Sequence, residues 1–90
     1  MKYIIKIIIF NKTYVFQGKK INLENEKNKP YEFTNIDVCR AIAFGLAIQC
    51  KEFEVVIYAK LNGKMEQFEL VSIDKIEAYK EKLNQQSINN

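Results

Sequence analysis

The chain has no histidine and no tryptophan, and only one proline, three glycines, two cysteines and one arginine in 90 residues. Each scarcity removes a class of chemistry. Without histidine there is no Ser-His or Cys-His nucleophile pair, and no side chain that titrates unaided near neutral pH. Two cysteines without histidine cannot close a tetrahedral zinc site. Gly18, Gly45 and Gly63 each stand alone, which excludes a P-loop and a dinucleotide fingerprint. Asp37 and Asp74 sit at expected helix starts, where capping explains them. Glu24, Glu26 and Glu32 lack the spacing of a calcium-binding loop. The chain is therefore expected not to be an enzyme, with no catalytic residue, no metal site and no cofactor.

Cys39 and Cys50 lie eleven residues apart in what reads as one helix. At about 1.5 Å rise per residue their thiols would be about 16 Å apart, too far for a disulfide. Buried structural thiols and a reducing, cytoplasmic location are the expectation. No apolar run approaches the roughly 18–20 residues that span a bilayer, so no membrane association is expected. The formal charge is +3, carried by 13 lysines and the single Arg40. That is mild for a nucleic-acid binder. The heavy use of Ile, Lys and Asn has the character of small accessory proteins of phages or other mobile elements in AT-rich hosts.

What is present is strand pattern. Phe53 to Val71 reads as a β-hairpin around Asn62-Gly63, a pair suited to a two-residue type I′ turn. Placing Leu61 opposite Lys64 would pair Ala59 with Glu66, Tyr58 with Gln67, Ile57 with Phe68 and Val55 with Leu70. Phe53, Val55, Ile57, Phe68 and Leu70 then share a dry face. Tyr3 to Gln17 reads as a second hairpin, turning at Asn11-Lys12. Tyr3, Ile5, Ile7, Ile9, Tyr14 and Phe16 fall on one face. Both faces are substantially apolar, which suggests a central position in a sheet. Gly18 to Phe33 is polar and reads as a long loop, with Ile21-Asn22-Leu23 as a short strand or anchor, and is expected to be the most mobile region.

Thr34 is the expected N-cap of a helix running to about Cys50, with Asp37 in its first turn. Ile36, Cys39, Ile42, Ala43, Leu46, Ala47 and Cys50 form its core stripe at about 100° per residue. The other side is apolar too, with Val38, Ala41, Phe44, Gly45 and Ile48. Ser72 would cap a last helix from Ile73 to about Leu83, with Ile73, Ile76, Tyr79 and Leu83 on one face. The expected fold is α+β in the order ββαββα: an antiparallel sheet of about four strands with two helices mainly on one face. Residues 1–83 would form a single domain and 84–90 a disordered polar tail.

Two surfaces stand out as binding candidates. Arg40, Ala41, Phe44 and Ile48 mark the second apolar side of the middle helix, where a lone surface helix is polar. They suggest an interface with a protein partner or in a homodimer. Lys19, Lys20, Lys27 and Lys29, with Tyr31, mark a loop able to contact phosphates, although Glu24, Glu26 and Glu32 dilute its charge. The first reading is a small protein-binding module of adaptor or inhibitor type. The alternative is a nucleic-acid-binding accessory protein using loop 19–29. A small-ligand site between helix and sheet ranks behind both. Tyr58 and Lys60 on the wet sheet face are explained by ordinary cross-strand pairing.

Overall fold

β-branched and aromatic residues dominate the two N-terminal runs, and they form β1 (Lys2–Ile9) and β2 (Lys12–Phe16). The computed structural model describes residues 1–49 and 52–72, together with 77, 81 and 82. β3 (Ile21–Leu23) follows a four-residue turn, and α1 spans Ile36–Gln49. β4 (Glu54–Leu61) and β5 (Lys64–Val71) complete a five-stranded antiparallel sheet in the order β3-β2-β1-β4-β5. Among the described residues this is a small α+β domain whose sheet has five strands rather than about four, with α1 as the one helix described along its length. The expected last helix, Ile73 to Leu83, lies outside the described residues except for Glu77, Glu81 and Lys82, which are helical and exposed. The polar tail 84–90 also lies outside them.

β1 is central, as its two apolar faces require. Ile5, Ile7, Val55, Ile57, Phe16 and Val71 form the face that α1 covers, packed with Cys39, Ala43, Phe44 and Ala47. On the opposite face Ile4, Val15 and Val56 are 1–2% exposed. That face also carries ion pairs. Glu32 reaches both Lys2 (3.5 Å) and Lys60 (3.6 Å), and Glu24 binds Lys6 at 2.7 Å. The Lys6 ammonium also lies 4.9 Å from the Tyr58 ring centroid.

The β1–β2 turn is made by Phe10 and Asn11 rather than by Asn11 and Lys12. Ile9 pairs with Lys12, and both turn residues have positive φ. The register moves by two residues, so every side chain keeps its expected face. At β4–β5, Asn62-Gly63 turns as expected, and Leu61–Lys64, Ala59–Glu66 and Tyr58–Gln67 pair. Beyond Gln67 the strand bulges. Ile57 pairs with Glu69 instead of Phe68, and Val55 pairs with Val71 instead of Leu70. Phe68 is thus the extra residue, 44% exposed and outside the core. The bulge changes which residue is buried: Val71 is 5% exposed and Leu70 is 40% exposed.

The 24–35 connection is tied to the sheet at three points. The Glu24 N–H donates to the Thr13 carbonyl, and the Tyr31 N–H to the Phe16 carbonyl. Tyr3 and Phe33 exchange two backbone bonds, at 2.8 and 2.7 Å. Phe33 stacks on Phe16, burying the end of the connection.

Candidate functional site

Asn35, not Thr34, begins α1. Its Oδ1 accepts from the N–H groups of Asp37 (2.8 Å) and Val38 (3.4 Å). This satisfies two of the donors that a helix start leaves open. The cap fixes the helix phase, and with it the face that points away from the sheet. Cys39, Ala43, Phe44 and Ala47 point inward and are buried. Val38, Ala41, Gly45 and Ile48 point outward, flanked by Asp37 and Gln49, and all six are exposed. Val38 is 49% and Ile48 is 52% exposed. A methyl group added at Gly45 would meet nothing within 4 Å.

This arrangement divides the four residues proposed from sequence. Ala41 and Ile48 lie on the outer face. Phe44 does not: it is 8% exposed and belongs to the core cluster. At about 100° per residue Phe44 sits roughly 80° from the centre of the outer stripe, near enough to the core for its large ring to turn in. Arg40 is also drawn inward. Its Nε donates to Glu69 Oε2 at 3.3 Å, its guanidinium carbon lies 5.9 Å from the Phe68 ring centroid, and Nη1 lies 3.9 Å from Asp37. The bulge makes this possible, because Phe68 and Glu69 both turn to the helix side. Phe68 in turn meets Tyr3 edge-on at 5.4 Å. Val38 and Gly45 take the places of Phe44 and Arg40 on the outer face. Their signal was the helical wheel, once the cap had set its phase.

Cys39 lies on the inner side of α1 and is fully buried within the core cluster. Burial pushes its thiol up to about 11 from 9.0, the nearby Glu69 charge adds to the rise, and Arg40 opposes it. A thiol so placed is a packing group. Cys50 lies outside the described residues.

The loop lysines are partly brought together. The Gln17 N–H donates to the Lys20 carbonyl at 2.9 Å, and its Nε2 donates to the Lys29 carbonyl at 3.0 Å. Tyr31 lies against Gly18, so Lys19, Lys20, Lys29 and Tyr31 gather at one corner of the sheet. Lys27 sits apart in a turn in which Asn25 Oδ1 accepts from the N–H groups of Lys27 and Asn28. A third feature is an open groove of about 410 Å³ beside the β4–β5 turn, lined by Met1, Ala59, Leu61 and Phe68 among others. It holds none of the buried polar groups that orient a small ligand.

No protein-family model, curated protein or solved structure matches this chain. Among the described residues no cluster of three or more His, Cys, Asp or Glu side chains is placed to hold a metal. Among them, too, no helix is long and apolar enough to cross a membrane.

Proposed function

We propose that the protein is a small non-enzymatic protein-binding module, of adaptor or inhibitor type, which docks through the outer face of α1. The observation that carries this reading is the stripe Val38–Ala41–Gly45–Ile48. A helix lying on a sheet turns polar residues to solvent, and this one turns two large aliphatic side chains and two small residues outward. Gly45 and Ala41, one turn apart, allow a partner backbone to come close. Val38 and Ile48 flank them as apolar contacts. Covering both could contribute about 1.5–3 kcal/mol each if they were fully exposed beforehand, and about half that from their observed exposure.

Arg40 supports the surface from behind, through Glu69 and Phe68, and is not a contact residue in this reading. The partner is a protein that offers an apolar ridge or a second such helix, and the site of action is cytoplasmic. The test is a capture experiment run in parallel with the parent and with Val38→Glu/Ile48→Glu, followed by mass spectrometry and sedimentation. A protein held by the parent and released by the double variant supports the reading. A double variant that stays folded and retains every partner refutes it.

A further inference from the structure

The lysine corner carries more than its sequence suggested. In the sequence, three glutamates share the loop with the lysines and offset them. In the structure two of the three are engaged elsewhere. Glu24 binds Lys6, and Glu32 bridges Lys2 and Lys60, all on the sheet face opposite α1. Lys19, Lys20 and Lys29 have no carboxylate partner among the described residues. Gln17 holds two of them by their carbonyls, one through its backbone N–H and one through its side chain.

Tyr31 completes the corner. Its N–H is bound to the Phe16 carbonyl, and Phe33 meets its ring edge-on at 4.7 Å. Gly18, at φ 98°, lies against the ring, and a Cβ there would sit 3.2 Å from Tyr31 Cδ2. The ring is therefore held in place on one side, yet the residue is 49% exposed. A positioned, half-open aromatic ring beside three ammonium groups that have no carboxylate partner among the described residues offers both a stacking surface and phosphate contacts.

We propose that this corner binds single-stranded nucleic acid, with Lys19, Lys20 and Lys29 on successive phosphates and an unpaired base on Tyr31. A duplex hides the base faces that the ring would stack on, so the single strand is the better fit. An anionic membrane is a poorer one, because polybasic lipid sites use about 4–8 cationic residues. This surface is separate from the outer face of α1, so the two readings stand or fall independently.

The test is fluorescence anisotropy of a short labelled oligothymidine across a salt series from about 50 to about 200 mM. With about three phosphates neutralised, the affinity of the parent should fall with a log–log slope near −2, since single strands give about −0.7 per phosphate. Lys19→Gln/Lys20→Gln/Lys29→Gln should abolish most binding and flatten the slope. Tyr31→Leu should weaken binding several-fold with the slope unchanged, and Tyr31→Phe, which keeps the ring and its packing, should bind as the parent does. Lys2→Gln/Lys60→Gln should weaken binding far less than the triple variant, because both lysines pair with Glu32 away from the corner. The proposal is overturned if the parent does not bind at the lowest salt, or if the triple variant binds like the parent. It is equally overturned if the Lys2/Lys60 variant loses as much affinity as the triple variant, or if a duplex or anionic vesicles compete as well as the single strand does.

Discussion

Truncating Phe44 and Ile48 separately should give opposite results, although both are large apolar residues on one short helix. Phe44 is 8% exposed and belongs to the core cluster. Phe44→Ala removes a ring from that cluster and leaves a cavity, at a cost of about 3–5 kcal/mol. A domain of this size has roughly 5–13 kcal/mol in all, so a large part of its stability goes. At about 4–8 °C per kcal/mol the midpoint should fall by more than about 12 °C. Ile48 is 52% exposed, and Ile48→Ala removes atoms that are already half in water. Its cost should be under about 1 kcal/mol, offset in part by alanine's higher helix propensity. Urea denaturation followed by circular dichroism measures both, and an unchanged m-value shows that the transition is comparable. A Phe44→Ala cost below about 1 kcal/mol, or an Ile48→Ala cost above about 2 kcal/mol, would refute the assignment of inner and outer faces.

Gly45→Ala should stabilise the fold by about 0.5–1 kcal/mol, since its Cβ meets open space on a helix, while weakening partner docking by blocking close approach. Gly63→Val should cost more than about 1 kcal/mol in thermal melts through its φ of 79°, since an added Cβ there meets nothing within 4 Å. Cys39 makes the domain sensitive to alkali. Its folded pKa is raised, so its own contribution to stability is constant below about pH 9 and is lost from there towards pH 11 by up to about 1.4 kcal/mol per unit, a loss that Cys39→Val should remove in parallel denaturation curves. Arg40→Ala leaves the largely covered Glu69 carboxylate without its Nε donor, and calorimetry should show a loss of about 1–2 kcal/mol with no loss of partner binding.

The sheet was legible where side-chain period and turn chemistry agreed. Asn62-Gly63 set one turn, and the apolar character of both faces of Tyr3–Phe10 set the central position of β1. The β1–β2 register was missed because Phe10 adopts φ 47°, which a bulky residue rarely does, so nothing in the sequence marks it as a turn residue. The bulge at Phe68 was missed for a related reason. It uses no glycine, and the gain that favours it is tertiary: Val71 enters the core and Glu69 reaches Arg40. On the helix, periodicity identified two apolar sides but not the boundary between them. That boundary depends on the Asn35 cap and on how far a Phe44 ring can reach, which is a matter of packing. The lysine corner was visible as composition only. Its balance of charge changed when the fold carried Glu24 and Glu32 to the other sheet face, and no local reading of residues 18–33 contains that information.

The outer face of α1 is proposed as a docking surface, and its inner face is core. This assignment is tested most directly by Val38→Glu/Ile48→Glu, measured for thermal midpoint and for retention of bound protein on the same preparation. The expected midpoint lies within a few degrees of the parent, because both side chains are about half exposed and surface changes cost about 0.5 kcal/mol or less, and the partner or self-association is lost. A variant that unfolds, or one that folds and still holds all that the parent holds, would contradict the assignment.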